Sequence, residues 1–145
     1  MSLVCKVYVD GSSRGNPGPA GIGIVVTDQA GKVLLEHYEF LGLNFTNNQA
    51  EYMALMRALE ICHSLSLKGI LHIFSDSELL IKQITGLYKV RSQNLKKLFR
   101  EIKQKEKLFS KVYYHHIDRE LNRRADELAN KAVDEVIGVK SNSQT

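Results

Sequence analysis

Cysteine is scarce in this sequence, with two among 145 residues, which excludes a small scaffold held together by disulfides. Cys5 lies in an apolar strand-like pattern and Cys62 in an apolar helical one, so both read as small buried hydrophobes rather than a redox or metal pair. Long apolar runs are missing too. None approaches the roughly 20 residues of a membrane-spanning helix, so no membrane role is expected. The opening Met1-Ser-Leu-Val-Cys-Lys6 has neither the charged start nor the apolar stretch of a secretion signal, and the expectation is a cytoplasmic monomer. Repeats, low-complexity tracts and linkers are likewise absent. With 43% hydrophobic and 25% charged residues, the chain can bury a core unaided. It reads as one domain over residues 1–137, followed by a flexible tail at 138–145.

Charge of one sign is unevenly spread. The net charge is +4 and the isoelectric point about 9.1. From 89 to 111, nine basic residues (Lys89, Arg91, Lys96, Lys97, Arg100, Lys103, Lys105, Lys107, Lys111) face two acids, Glu101 and Glu106. Such a block suits an anionic partner, nucleic acid first, although charge alone equally describes a solvated helix face.

The hydrophobic periods order the elements. Leu3 to Asp10 alternates as a strand, and Gly11 to Pro19 forms a turn holding both prolines. Ala20 to Thr27 is a second strand, whose glycines allow close backbone approach. Asp28 to Gly31 turns the chain into a third strand, Lys32 to Gly42. The period then becomes helical: Ala50, Met53, Ala54, Ala58, Ile61, Cys62 and Leu65 recur after the N-cap candidates Thr46 and Asn47. Ile70 to Ser75 is a short strand, and helices follow at 77–85 and 92–109. In the second, Leu95, Leu98, Phe99 and Ile102 oppose Lys96, Arg100, Lys103 and Lys107. Lys111 to Ile117 is the last strand and 121–137 the last helix. The first three strands predict an antiparallel meander, and the later two alternate with helices and should run parallel to the first. The fold class is α/β: a five-stranded mixed sheet with helices on both faces.

Four acids stand out against this frame. Asp10 closes a strand before Gly11, a place ordinary turn chemistry also explains. Asp76 follows a strand and precedes a helix, where it would serve as an N-cap. Glu51 falls in the first turn of the expected helix, where an acid suits the dipole. Asp126 shares a helical stripe with Ala129 and Val133, which places it beside the buried side. Ligands of such sheets bind at the carboxyl ends of parallel strands, and Asp10 and Asp76 stand at two of them. Helices starting near Thr46 and Asn122 bring Glu51 and Asp126 to the same edge. Four converging carboxylates repel unless hard cations lie between them, and oxygen-only ligands suit Mg²⁺ or Mn²⁺. Two such ions support phosphodiester cleavage.

Four segments carry a resemblance: Tyr8-Val-Asp-Gly-Ser-Ser-Arg-Gly-Asn-Pro-Gly-Pro-Ala-Gly21, Thr46-Asn-Asn-Gln-Ala-Glu-Tyr-Met-Ala54, Ser75-Asp-Ser77 and Arg119-Glu-Leu-Asn-Arg-Arg-Ala-Asp-Glu-Leu-Ala129. In this order the chain resembles the type 1 ribonuclease H family, from about residue 3 to 135. The resemblance implies that Asp10, Glu51, Asp76 and Asp126 are the catalytic and metal-binding carboxylates, with two Mg²⁺ or Mn²⁺ ions. It implies an RNA/DNA hybrid as partner, the RNA strand cut to leave a 5′-phosphate and a 3′-hydroxyl, with double-stranded RNA as a further candidate. Gly11 and Ser13 would reach 2′-hydroxyls. Asn16, Thr46 and Asn47 would meet the DNA strand, Asn48 the RNA strand, and Glu78 and Asn122 complete the substrate-binding set. For the asparagines, turns and caps remain an alternative account.

The chain also departs from the family. No basic protrusion fits between Gly86 and Arg91, which resembles the short archaeal-like and plant-like branches. Glu78 stands where glutamine is usual, and a glutamate has no donor for a base edge. His116 lies ten residues before Asp126, the spacing of a histidine that aids product release, yet no glycine flanks it and it continues a strand. A silent binding module gains nothing from four acids near phosphates. The Thr46–Glu51 segment disfavours a resolvase, the compact chain disfavours a piece of a reverse transcriptase, and Gly11–Gly21 fits neither dinucleotide nor P-loop spacing.

Overall fold

Alternation in the first strand decides the layering. In the computed structural model, which describes residues 3–138, β1 (Val4–Ser13) is the middle strand of five. It pairs antiparallel with β2 (Gly18–Asp28), which pairs antiparallel with β3 (Val33–Phe45). On its other side it runs parallel to β4 (Ile70–Ser75), itself parallel to β5 (Lys111–His116). The order β3-β2-β1-β4-β5 is the expected mixed sheet.

Opposed residues on paired strands share a face. The pairs Val7 with Val26, Val9 with Ile24 and Gly11 with Ile22 face the main core. There α1 (Asn47–Ser64), α2 (Glu78–Ile84) and α3 (Gln93–Glu106) bury Leu55, Leu59, Leu80, Ile84, Leu95 and Ile102. Cys5 and Cys62 are free thiols in this core, 1% and 0% exposed, as expected of small hydrophobes. The opposite face is covered by α4 (Arg123–Ile137), which follows a short 3₁₀ turn at Arg119–Asn122. Its small residues Ala125, Ala129 and Ala132 are buried because they lie directly over β2.

Helix starts follow their caps. Thr46 accepts from the Gln49 N–H at 3.1 Å while the Gln49 side chain accepts from the Thr46 N–H at 2.8 Å, a reciprocal capping box. Ser77 caps α2 through the Leu80 N–H at 3.2 Å. Asp76 is therefore not the cap expected, and its carboxylate is left free for other work.

Several boundaries differ from expectation. β1 runs on to Ser13 instead of stopping at Asp10, because Gly11, Ser12 and Ser13 pair with Ile22, Gly21 and Ala20, and ladder bonds outweigh the turn propensity of Gly-Ser-Ser. β3 extends past Gly42 to Phe45 through register shifts opposite Gly18 and Ala20. The third helix ends at Glu106 rather than 109. The last begins as a 3₁₀ turn, and Leu65, expected on the apolar stripe, caps α1 and is exposed. The tail expected at 138–145 lies, from 139 on, outside the described residues.

The glycines of β1 and β2 mark where helix backbone meets strand backbone. A Cβ on Gly11 would stand 2.2 Å from the Ala50 carbonyl of α1, and one on Gly23 would stand 2.1 Å from the Ala125 carbonyl of α4. Both obstacles are main chain, so a methyl at either position must push a helix away. Gly23→Ala should therefore lower unfolding stability by about 2 kcal/mol, the scale of overpacking. A urea midpoint equal to wild type would show that α4 is not seated on β2.

Candidate active site

Asp10 is a mid-strand residue paired with Gly23, 5% exposed. Its side chain points to the α4 face beside the bare spot where that helix descends. Glu51 comes from the other face. It is the fifth residue of α1, past the first turn, so the helix dipole does not account for it. What holds it is the Gly11 N–H, which donates to its Oε1 at 2.9 Å. Asp76 follows the last residue of β4, and Asp126 lies in the first turn of α4.

Carboxylate oxygens of Asp10, Glu51 and Asp76 lie within 4.8 Å of one another. Asp126 joins them on the wall of one cavity of about 240 Å³, whose other lining residues are Gly11, Ser12, Asn47 and Arg119. Burial, then the charges of Glu51, Asp76 and Asp126 and a hydrogen bond to Asp126, push the Asp10 carboxyl up to about 10. Burial, opposed by the Gly11 N–H and reinforced by Asp76 and Asp126, pushes Glu51 up to about 8. An all-oxygen donor set that raises its own proton affinity in this way fits a hard divalent cation, which would replace the protons.

Of the expected substrate contacts, Gly11 lines the carboxylate cavity and the others fall into three groups. Ser13, Asn16, Thr46, Asn47 and Asn48 come together. The Ser13 N–H donates to Asn47 Oδ1 at 2.8 Å and the Asn47 N–H to Asn16 Oδ1 at 2.9 Å. A second cavity of about 320 Å³ is lined by Asn16, Thr46, Asn47, Asn48, Gln49, Ser92, Asn94 and Leu95. Asn47 borders both cavities, so they adjoin. Glu78 is exposed and paired with Lys82 at 2.8 Å; the hydrogen bond from Lys82 holds its carboxyl below the ordinary range, with His116 contributing. Asn122 does not belong with the substrate contacts. It is 1% exposed, and its amide donates to the Val9 carbonyl at 2.8 Å. It ties the last helix to β1 one residue before Asp10, and burial removes it from any substrate.

His116, exposed at the end of β5, does not line the carboxylate cavity. Arg119 does, as its one cationic lining residue, and among the described residues it forms no ion pair. Sequence reasoning passed over it. The available signal was its place in the Arg119–Ala129 segment, seven residues before Asp126.

The raised carboxyls fix the sign of a pH effect. In chelator the folded chain keeps protons that the unfolded chain releases near pH 4. The stability this lends is complete below that pH and is lost as pH rises through about 8 for Glu51 and about 10 for Asp10. The melting temperature in chelator should fall between about pH 5 and about pH 9, and millimolar Mg²⁺ or Mn²⁺ should restore it. Asp10→Asn should melt higher than wild type in chelator at pH 8 and gain less from metal. Calorimetry showing a wild-type curve flat in both pH and metal would mean that the acids do not repel.

Comparison with known proteins agrees with this geometry. The model of a family described as reverse transcriptase-like matches residues 8–132. The chain is 39% identical over 130 residues to ribonuclease HI of Halobacterium salinarum, covering 88% of this chain and 63% of that protein. It therefore spans somewhat under two thirds of that relative's length. It is 30% identical over 158 residues to a ribonuclease H of Pseudomonas fluorescens, covering 97% and 99%. The solved structure of LC11-RNase H1 in complex with an RNA/DNA hybrid superposes with a TM-score of 0.88 at 42% identity, covering 92% of this chain and 99% of that one. With four carboxylates on one cavity of this sheet, and relatives matched over nearly the whole chain, the protein belongs to the type 1 ribonuclease H family.

Proposed function

We propose that this chain is an endoribonuclease that hydrolyses the RNA strand of RNA/DNA hybrids, leaving 5′-phosphate and 3′-hydroxyl ends, with two Mg²⁺ or Mn²⁺ ions held by Asp10, Glu51, Asp76 and Asp126. The observation that carries it is the convergence of three carboxylates within 4.8 Å on a cavity that Asp126 also lines. The hybrid bound to LC11-RNase H1 supports the substrate. All four acids come from one chain, so a monomer holds a complete site, and two free core thiols suit the reducing cytoplasm.

When bound, such ions supply water activation and stabilisation of the leaving oxygen. The protein's own groups do the rest. Gly11 to Ser13 present strand backbone at the cavity edge, where 2′-hydroxyls distinguish RNA from DNA. Asn16, Thr46 and Asn47 receive the DNA strand in the adjoining cavity, with Asn48 toward the RNA strand, and Glu78 lies further out. Arg119, without an ion-pair partner among the described residues, offers the scissile phosphate a cation.

The test is cleavage of labelled RNA/DNA, RNA/RNA, DNA/DNA and single-stranded RNA, each with Mg²⁺ and with chelator. RNA/DNA with metal should be cut and DNA/DNA spared. Asp10→Asn and Asp76→Asn should each lose at least about a hundredfold in rate, the upper end of what groups one shell further from a metal contribute, with circular dichroism unchanged. Near-wild-type rates in both variants would sink the assignment.

Binding should draw on the start of α3. Ser92, Asn94 and Leu95 line the asparagine cavity, which puts Arg91 and Lys96 at its rim. Among the described residues, Lys89, Arg91, Lys96 and Arg100 form no ion pair. Further along the expected basic face, Lys103 is engaged internally: it donates to the Ile84 carbonyl at 2.7 Å and reaches Glu106 at 3.4 Å. Replacing Lys89, Arg91 and Lys96 with alanine should raise KM and leave kcat nearly unchanged. The salt slope of log affinity should flatten by roughly 0.9 for each phosphate that is no longer neutralised. Unchanged KM and slope would assign these residues to solubility alone.

A further inference from the structure

Asp126 is held from its own helix. Asn130, one turn on, donates through Nδ2 to the Asp126 carbonyl at 3.0 Å and to Asp126 Oδ1 at 3.3 Å. The other end of the same amide faces Arg14, whose guanidinium donates to Asn130 Oδ1 at 3.4 Å and to the Asn130 carbonyl at 3.3 Å. Arg14 also pairs with Asp134 at 2.5 Å. Asp126, Asn130 and Asp134 follow at steps of four, so they form one stripe along α4, with Arg14 over its lower part. Arg14 itself stands in the β1–β2 turn, four residues beyond Asp10, its backbone fixed by an N–H bond to the Pro19 carbonyl at 2.8 Å.

The chemistry of the three groups allows one arrangement. A guanidinium has donors only, and an ionised carboxylate has acceptors only. An amide placed between them must turn its oxygen to Arg14 and its NH₂ to Asp126. Arg14 thereby selects the orientation of Asn130, and Asn130 engages one carboxylate oxygen of Asp126 along the helix. The other oxygen is left for the cavity. Asp126 lines that cavity and is hydrogen-bonded to Asp10 there, beside the group formed by Asp10, Glu51 and Asp76.

We propose that Arg14 and Asn130 are positioning residues for Asp126: Arg14 orients the Asn130 amide, and the amide sets which Asp126 oxygen is presented to a divalent cation. This rests on the reading of the four acids as metal ligands.

The experiment is Mn²⁺ titration of the full chain by calorimetry, beside cleavage kinetics over a range of Mn²⁺ concentrations. Asn130→Ala keeps a strong helix former at an interior helical position and should fold as wild type. It should weaken Mn²⁺ binding about tenfold, within the ten- to hundredfold span of groups that orient metal ligands. kcat should fall at limiting Mn²⁺ and recover in excess, with KM for the hybrid unchanged, a split that general loosening of the fold would not give. Asn130→Asp, which puts an acceptor where a donor is needed, should weaken binding further. Arg14→Ala should lie between wild type and Asn130→Ala, and the double variant should bind no more weakly than Asn130→Ala alone. Mn²⁺ affinity within twofold of wild type in Asn130→Ala, while Asp126→Asn binds weakly, would overturn the relay and leave the ligand assignment standing. Asp126→Asn binding Mn²⁺ as wild type does would overturn the ligand assignment instead.

Discussion

Bare backbone at Gly11 and Gly23 is the constraint on which the site depends. The two glycines lie on opposite faces of one hairpin, and each accepts the main chain of a helix where a side chain would stand. Because Asp10 pairs with Gly23 and precedes Gly11, α4 descends beside it on one face and α1 beside its neighbour on the other. Glu51 and Asp126 are carried in by those helices. A methyl at either glycine would move a helix, and metal and catalytic geometry tolerates displacement of only about half an ångström.

The arrangement works against the fold electrostatically. Elsewhere, acids are forked by arginine: Arg57 bonds the half-buried Glu39 through two nitrogens at 2.9 Å each and also reaches Glu60, and Arg124 does the same for the exposed Glu36 and Glu127. Among the described residues no cation pairs with the site acids: Glu51 receives the Gly11 N–H, Asp126 the Asn130 amide, and Asp10 shares a hydrogen bond with Asp126. A chain with a surplus of cations has left its most buried carboxylates without them. That local frustration marks a functional site and accounts for the upward displacement of Asp10 and Glu51.

Much of this is legible in the residues alone. The sheet, the limits of β4, the cap at Thr46 and the close approach at the β2 glycines follow from period and composition, and the four acids from their motifs. The remainder depends on encounters between distant parts of the chain. Gly11 to Ser13 carry turn residues, and only pairing with Ile22, Gly21 and Ala20 makes them strand. Ser77 and Asp76 are both good caps, and geometry chose the serine. Asn122 stands in a functional motif, yet its amide serves Val9, 113 residues away. Arg14 and Asn130 are 116 residues apart. Periodicity tells which face a side chain takes but not which partner it meets, so polar ties of this kind have no local signature.

Separation of binding from chemistry follows from the same charges. On the proposed function, a cavity lined by four carboxyl groups and one arginine would contribute little to holding a phosphodiester before cations occupy it. Affinity must come from surfaces outside it, and the neighbouring cavity supplies uncharged amides and hydroxyls at the starts of α1 and α3, where helix N-termini favour anions. Lys89, Arg91, Lys96 and Arg100, which form no ion pair among the described residues, would extend that surface. Their attraction for phosphates is long-ranged and salt-dependent, whereas cation binding at the acids is short-ranged and geometric. Under the proposed function, salt and metal concentration would therefore act on different parts of this protein: salt on the basic surface that holds a hybrid, metal on the acids that cut it.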